Sequence, residues 1–329
     1  MHMTQRRRRL CTLVLTALGA FAHGPASAQD PYPSRPIRLV VPFPPGGSTD
    51  VIGRILSKSL GERLRQPIVL DNKPGAGTVL GADTVAKSPA DGYTLLLSAA
   101  TTYTVNPVVL KKMPYDAATA FEPLGIVGST PLILLANPTH IKAGTLKDLA
   151  VESRSLTDLA YGSFGNGSSA HFAGEMLLAA TEIKALHVPY KGSAPAMTDL
   201  IGGQIPLSVD TVVAAAPQIK AGKVRALAVT SAQRSQLLPQ VPTATESGYP
   251  AVVFSTWFAI VAPKGVPEPV RAKLEAALAE IMKEKATRDQ LVASGYEPEY
   301  GTPASYRNRV AAEIERLRII AARSKISVD

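Results

Sequence analysis

The chain has 329 residues, of which 46% are hydrophobic and 19% charged, and it carries one cysteine and a formal net charge of +9. This length can bury a sizeable core and predicts two domains. The basic residues are scattered among acidic ones and form no stripe interleaved with aromatic residues, which argues against nucleic-acid binding.

The N-terminus has the pattern of a secretory signal peptide over residues 1–28. Arg6–Arg9 form a positive region, residues 10–22 an apolar stretch too short to span a membrane, and Ala26–Ala28 an A-x-A cleavage site. Cleavage after Ala28 would place the protein in the periplasm without its one cysteine, and loss of the four arginines would lower the charge from +9 to +5. Because no disulfide can then form, the core must hold the fold. Either the general or the twin-arginine export route is open.

The stretch Val40–Asp50, VVPFPPGGSTD, joins a predicted strand to a predicted helix. Alternating apolar residues from Ile37 indicate the strand, three prolines end it, and Ser48–Asp50 begin the helix. Gly46 and Gly47 allow a sharp turn between the two. Such a turn places unpaired backbone N–H groups at the carboxyl edge of a sheet, which suits an anion. A purely structural turn would explain the same residues.

A second strand is predicted at residues 67–70, and the glycine-rich segment Gly75–Gly81 follows it. Its G-x-G-x-x-x-G spacing differs from the G-x-G-x-x-G of dinucleotide-binding proteins, and no acidic residue follows at the distance that a ribose requires. We therefore expect no cofactor, and we interpret these glycines as turn and helix-packing residues.

A third strand, Thr94–Ser98, is continuously apolar, which favours a parallel sheet covered on both faces. It leads into a hydroxyl-rich loop with Thr101 and Thr102, at the end of the strand where open α/β sheets bind ligands. Two later apolar runs, at residues 124–127 and 132–136, predict a strand that passes from one domain to the other.

A second α/β unit repeats the chemistry of Val40–Asp50. Its loop, Ser163–Ser169, is rich in glycine and hydroxyl groups and precedes a helix that begins near Ala170. The loop has no G-x-S-x-G nucleophile elbow, and the sequence pairs no base with its serines, which argues against a serine hydrolase. We expect His171 to cap this helix or to form a buried hydrogen bond.

Two further strand ends carry polar groups. Residues 185–188 precede Tyr190 and Lys191, which either meet a carboxylate or serve as packing and solvated charge. Residues 205–209 precede Asp210, which either accepts from a ligand amine or caps the next helix. A strand at residues 224–230 leads back toward the first domain, and two helices close the chain.

Several separate motifs resemble those of the Bug-type substrate-binding receptors of tripartite tricarboxylate transporters. They are PFPPGGSTD at 42–50, DNKPGAGTVLGADTVAKSPADGYTLL at 71–96, NP at 106, GSFGNGSSAH at 162–171, HVPYKGSAPAMTDLIGGQ at 187–204 and VPTATESG at 241–248. The resemblance implies an α/β, two-lobed type II periplasmic-binding-protein fold, each lobe a mostly parallel sheet flanked by helices, with hinge closure on a small carboxylate. Lobe 1 would comprise residues 29–130 and 245–329, and lobe 2 residues 131–244.

The ligand-binding loops of the family map onto three segments and, more loosely, onto two further places. The corresponding residues are Phe43, Pro45, Gly46, Gly47, Ser48, Thr49, Asp50, Thr101, Thr102, Ser163, Gly165, Gly167, Ser168, Ser169, Tyr190, Lys191, Gly192 and Asp210. The family holds the ligand carboxylate through backbone amides and ordered water, and the absence of arginine from these loops fits that mode. Pro44-Pro45 stand where Ala or Gly is expected and Tyr103 where His is expected, which leaves the ligand open.

The predicted function is that of a periplasmic solute receptor without enzymatic activity, cofactor or metal. It would bind a di- or tricarboxylate, an amino acid or an aromatic acid as a monomer, and deliver it to the membrane subunits of a tripartite tricarboxylate-type transporter. A receptor that reports its ligand to a signalling partner and an exported serine hydrolase using Ser163, Ser168 or Ser169 are the alternatives.

Overall fold

The computed structural model describes residues 32–324 and residue 326. The described residues divide between Ser34 and Arg35 into a short first unit and a second unit that holds the remainder. The peptide bond between Tyr32 and Pro33 in the first unit is cis. The predicted signal peptide and its cleavage site lie outside the described residues. Within the described part of the chain, every helix is too short or too polar to cross a membrane.

Strands and helices alternate along most of the second unit. The strands are β1 (Ile37–Val41), β2 (Ile68–Asn72), β3 (Thr94–Ala99), β4 (Phe121–Ala136), β5 (Ala160–Ser163), β6 (Leu186–Pro189), β7 (Leu207–Thr211), β8 (Arg225–Val229) and β9 (Ser255–Pro263). The α-helices are α1 (Ser48–Leu64), α2 (Val79–Ala86), α3 (Asn106–Val109), α4 (Leu146–Glu152), α5 (Ser169–Thr181), α6 (Ser193–Ile201), α7 (Val212–Lys220), α8 (Glu268–Ile281), α9 (Lys285–Ala293) and α10 (Pro303–Ser324). Short 3-10 turns at Ala76–Thr78 and Ser153–Ser155 and a π-helical turn at Thr101–Val105 complete the set.

These strands form one mixed sheet in the order β2-β1-β3-β9-β4-β7-β5-β6, with β8 paired to β4. Strands β2, β1 and β3 are parallel to one another, and so are β7, β5 and β6, because helical crossovers connect most of them. Strand β9 runs antiparallel to β3 and β4, and β4 runs antiparallel to β7 and β8. The prediction of mostly parallel strands flanked by helices is confirmed.

Strand β4 belongs to both halves of the sheet, as its two apolar runs predict. Residues Phe121–Pro131 pair with β9, and residues Leu132–Ala136 pair with β7 and β8. We call the half with β2, β1, β3 and β9 the first lobe and the half with β7, β5, β6 and β8 the second lobe. The strand is buried from Pro123 to Ala136, as a strand covered on both faces should be.

Tyr103 is a core residue of the first lobe. Its ring stacks on Trp257 with centroids 5.7 Å apart and meets the edge of Tyr306 at 5.4 Å. Its hydroxyl donates to the carbonyl oxygen of Ala259 at 3.0 Å, so the buried polar group is satisfied. Tyr103, which stands where the family pattern has His, therefore lies in the core of the first lobe. The sequence had grouped it with the hydroxyl-rich loop that contains Thr101 and Thr102.

In the second lobe, helix α5 packs closely on β5 because it carries a glycine where it crosses Tyr161. The Tyr161 ring is fully buried, and its hydroxyl donates to Oε1 of Glu175 at 2.7 Å. A Cβ atom at Gly174 would lie 2.3 Å from Cε2 of this ring. The missing side chain at Gly174 therefore sets the separation of helix and sheet.

We predict that Gly174→Ala lowers the free energy of unfolding by about 1–3 kcal/mol, since the added methyl group overpacks the core against Tyr161. Urea unfolding followed by circular dichroism measures the change. The control is Gly144→Ala, because a Cβ atom at Gly144 meets nothing within 4 Å. The control should change stability by about 0.5 kcal/mol or less. Equal effects of the two substitutions would contradict this account of the packing.

Candidate functional site

The predicted ligand loops meet in a cleft between the two lobes. The larger of two adjoining cavities there has a volume of about 660 Å³, and the smaller has a volume of about 20 Å³. Phe43, Pro44 and Phe164 line both cavities. The other sequence-predicted residues at the cavities are Gly47, Ser48, Thr49, Thr101, Gly165, Ser168, Tyr190, Lys191 and Gly192.

Helix α1 begins at the smaller cavity, as the glycine turn predicts. Gly47 is the N-cap residue in an extended conformation, and Gly47, Ser48 and Thr49 line the cavity. The first N–H groups of a helix have no partner within it, so the start of α1 offers donors and a positive dipole end there. The Tyr296 hydroxyl donates to the carbonyl oxygen of Ser48 and anchors this turn from behind.

Asp50 holds the shape of the turn before α1 and lines neither cavity, like the neighbouring Pro45 and Gly46. Its carboxylate accepts from the N–H of Gly46 at 3.0 Å, from Nδ2 of Asn72 at 3.1 Å and from Nε of Arg54 at 2.9 Å. Burial raises the pKa of Asp50, but the hydrogen bonds from these three partners outweigh it and lower the pKa below its ordinary value. The charged Asp50 therefore organises the loop.

Ser169 connects the lobes through hydroxyl groups. Its backbone N–H donates to Oγ1 of Thr101 at 3.3 Å, and its own Oγ lies 3.3 Å from the same atom. The Ser169 hydroxyl also donates to Oγ1 of Thr256 on β9 at 3.2 Å. Since Thr101 and Thr256 belong to the first lobe and Ser169 to the second, these bonds join the lobes at the base of the cleft.

The structure pairs Ser163 with a histidine that the sequence did not reveal. Oγ of Ser163 lies 2.7 Å from Nε2 of His187. The hydroxyl donates its one proton to the carbonyl oxygen of Gly165 and accepts from the N–H of Gly165, so Nε2 of His187 is the donor to Ser163 and does not act as its base. Because Ser163 is 0% exposed and its hydroxyl has these partners, the pair orders the loop without presenting a nucleophile.

His171 secures the same loop from the other side, which confirms the prediction of a buried hydrogen bond. Its Nδ1 accepts from the N–H of Gly167 at 3.0 Å, while Ser168 caps α5 by accepting from the N–H of His171 at 3.3 Å. The rings of His171 and His187 stack with centroids 3.7 Å apart. Burial lowers the pKa of His171 to about 4, and burial together with His171 lowers the pKa of His187 to about 3.

The third predicted loop, Tyr190–Gly192, packs against the first predicted loop, Phe43–Asp50. Gly192 has a φ of +126°, and a Cβ atom there would lie 2.8 Å from Cγ of Pro44 on the opposite lobe. The Tyr190 hydroxyl donates to Oδ2 of Asp199 at 2.8 Å, and Lys191 is exposed at the larger cavity. Helix α6 follows directly, so its N-terminus also lies in the cleft.

Asp210 and Thr102 lie behind the cavities. Asp210 is fully buried and accepts from Oγ of Ser193 at 2.5 Å and from the N–H of Thr211 at 2.7 Å, and burial raises its pKa to about 6. The helix cap that the sequence allowed for Asp210 is formed instead by Thr211, whose hydroxyl accepts from the N–H of Ala214. Thr102 bonds to the hydroxyl of Ser98.

Some cleft residues were missed because their sequence segment has another obvious interpretation. Gly75 and Gly77 have positive φ values, as the predicted turn requires, and both also line the larger cavity. Gly81 does pack, since a Cβ atom there would lie 2.7 Å from Cβ of Pro42. Asn106 donates to the carbonyl oxygen of Gly77 at 2.9 Å, and the conspicuous Asn-Pro pair was the available signal. Ser193, Ala194 and Thr256 at the smaller cavity were also missed.

Comparison with known proteins gives consistent matches over most of the chain. Residues 52–325 match the family described as tripartite tricarboxylate transporter family receptor. Over 312 residues the chain is 39% identical to protein BugT of Bordetella pertussis (strain Tohama I), covering 93% of this chain and 95% of BugT. An R. palustris protein solved with adipate is 33% identical at a TM-score of 0.87, covering 90% of this chain and 99% of that protein. MatC from Rhodopseudomonas palustris, solved with bound malate, is 31% identical at a TM-score of 0.81, covering 88% of this chain and 99% of MatC.

The stacked histidines predict a loss of stability at mildly acidic pH. Both pKa values lie below the ordinary value of 6.5, so between pH 6.5 and about 4 the unfolded chain binds protons that the folded protein does not. The free energy of unfolding should therefore fall as the pH falls through this window. Urea titrations at pH 7.5, 6 and 5 should show a flatter dependence for His187→Gln than for the unsubstituted protein.

His140→Gln is the control for this prediction, because His140 is exposed and distant in sequence from the stacked pair. The raised pKa of Asp210 acts in the opposite direction, since its contribution to stability is lost as the pH rises from 3.8 to about 6. That contribution is common to all the proteins compared, so it cancels in the differences between them. The same pH dependence in His187→Gln and the unsubstituted protein would refute the role given to the stack.

Proposed function

The chain belongs to the receptor family of tripartite tricarboxylate transporters, and from this we propose that it captures a small carboxylate in the cleft and delivers it to the membrane subunits of such a transporter. Membership confirms the resemblance to Bug-type receptors and the two-lobed periplasmic-binding-protein fold. Two similar solved proteins are described as a periplasmic transporter and as the periplasmic binding protein BugD, which supports export of this chain with cleavage after Ala28.

The observation that carries the proposal is the electrostatic character of the cleft. Helices α1, α5 and α6 all begin at the two cavities, so three positive dipole ends meet there. Among residues 32–324 and 326, no acidic side chain lines either cavity, and Lys191 is the one charged side chain that does. A site with positive helix ends and no negative side chain favours an anion.

Amides and hydroxyls supply the recognition in this proposal. The volume of the smaller cavity, about 20 Å³, suits a single water, since a water requires roughly 10–15 Å³ or more. A water in this position would bridge the starts of α1 and α6 to the ligand carboxylate, which would lie in the larger cavity beside Thr101 and Ser168. The ligands of the R. palustris protein and of MatC, adipate and malate, support a carboxylate here too.

We place the lobe boundaries at 130/131 and 244/245, with residues 131–244 as lobe 2. The change of partner strand between Pro131 and Leu132 of β4 supports the first boundary. The bonds of Ser169 and the approach of Pro44 to Gly192 are contacts of a closed cleft, and a hinge motion about the crossing strands would break them. The receptor acts without catalysis in this proposal, as the receptor character of its relatives supports, and we propose that it does so as a monomer.

Calorimetric titration with mono-, di- and tricarboxylates tests the function. We expect at least one carboxylate to bind, and generic esters to show no turnover. Silence toward every carboxylate combined with binding of a sugar or a metal would refute the proposal. Uptake of the bound carboxylate by cells lacking this receptor distinguishes transport from signalling, because transport predicts that uptake is lost.

We further predict that Gly192→Ala weakens carboxylate binding by roughly 10-fold or more, since the added methyl group would hold Pro44 away and oppose closure. The matched control is Gly222→Ala, because Gly222 also has a positive φ, +67°, but a Cβ atom there meets nothing within 4 Å. Gly222→Ala carries the strain of a left-handed alanine and Gly192→Ala a larger strain, because φ +126° with ψ 174° is essentially restricted to glycine, so the affinities are compared at a temperature at which both variants are folded. Unchanged affinity in Gly192→Ala would contradict the closed contact.

A further inference from the structure

We infer that this receptor selects carboxylates that carry an apolar body, such as a phenyl or medium-length alkyl group, over compact polyanions. The inference rests on the proposed function and specifies the ligand class of the same site. It follows from the size of the larger cavity, the side chains on its two walls and the distribution of charge along it.

The larger cavity is bigger and less polar than a short hydroxy acid requires. Its volume of about 660 Å³ falls within the roughly 300–1,000 Å³ of pockets that enclose drug-sized ligands. Both lobes contribute apolar side chains to its walls, so a ligand inside would be covered from two sides. These side chains are Pro42, Phe43, Pro44, Pro74, Leu110 and Phe164.

Phe43 and Phe164 occupy the critical position, because they line both cavities and come from opposite lobes. Each is only half-buried, so a ligand body placed between them would remove apolar surface from water. In the described part of the chain, neither ring pairs with another aromatic ring. An aromatic ligand could therefore supply the ring contact that both side chains lack within the protein.

The charges around the cavity oppose a compact polyanion. The helix starts near Ser168 and Ser48 can receive one carboxylate, and among the residues that the structure describes Lys191, itself exposed, is the one cationic side chain at the cavity. A second carboxylate on a short ligand would lie beside the first, where Phe43, Pro44 and Phe164 line both cavities and supply no charged partner. Burying an unpaired charge beside apolar groups is costly. An apolar substituent in that position is stabilised instead.

The test is calorimetric titration of the protein with acetate, hexanoate, 3-phenylpropionate, malate and citrate. These probes separate the number of carboxylates from the apolar area attached to them. We expect 3-phenylpropionate and hexanoate to bind at least about 10-fold more tightly than acetate, since each buried methylene contributes about a factor of four. Malate and citrate should bind more weakly than 3-phenylpropionate.

Variants assign the preference to the two rings. Phe43→Ala and Phe164→Ala should each weaken 3-phenylpropionate binding by roughly 10-fold while changing acetate binding by less than about 3-fold. Leu186→Ala removes an apolar side chain that is 72% exposed on the second lobe and lines neither cavity, so it should leave all affinities unchanged. Should Phe164→Ala lose all binding, Phe164→Leu keeps an apolar side chain at this position and should retain it.

The outcomes separate this inference from the function on which it rests. Tightest binding of malate or citrate, with 3-phenylpropionate unaffected by either substitution, would overturn the inference and leave a carboxylate receptor standing. Failure of Phe164→Leu to retain binding would also overturn it. Failure of every carboxylate to bind the unsubstituted protein would overturn both.

Discussion

The rest of the structure depends on one constraint, the shared use of strand β4 by two half-sheets. Its first part pairs with β9 and its second part with β7 and β8, and it is buried for most of its length. Neither lobe can complete its sheet without this strand, so the two lobes share one continuous sheet. The carboxyl ends of the flanking strands then face each other, and the cleft forms between them.

The two principal loops of the cleft, Phe43–Asp50 and Ser163–Ser169, are held in place by different chemistry. In the first, a charged carboxylate, Asp50, receives the amide of Gly46 and the side chains of Asn72 and Arg54. In the second, neutral groups accept the amide hydrogen bonds instead. Ser163 accepts from the N–H of Gly165, and His171 accepts from the N–H of Gly167. Each loop is held from behind, which leaves the starts of the following helices directed at the cavities.

The sequence was informative where a single segment carries the signal. The continuous apolarity of β4, the glycine turn before α1 and the Ser163–Ser169 loop could each be interpreted locally, and the motifs identified the family. Ser163 and His187 could not be paired in advance, because they lie 24 positions apart and meet only through the parallel register of β5 and β6. Gly75 and Gly77 line the larger cavity, and this too could not be inferred locally, because Gly77 is held there by Asn106 at the start of α3. Contacts between elements need a register that local patterns do not encode.

The hydroxyl bridge at Ser169 has a consequence for how the closed form is balanced. Thr101, Ser169 and Thr256 are neutral, and no ion pair of the described residues crosses the cleft. The bridge between the lobes is therefore neutral, and the carboxylates nearest the helix starts, Asp50 at α1 and Asp210 at α6, are hydrogen-bonded outside the two cavities. Neutral hydroxyl bonds exchange for bonds to water at little net cost, so the proposed hinge motion would open and close this bridge without breaking an ion pair.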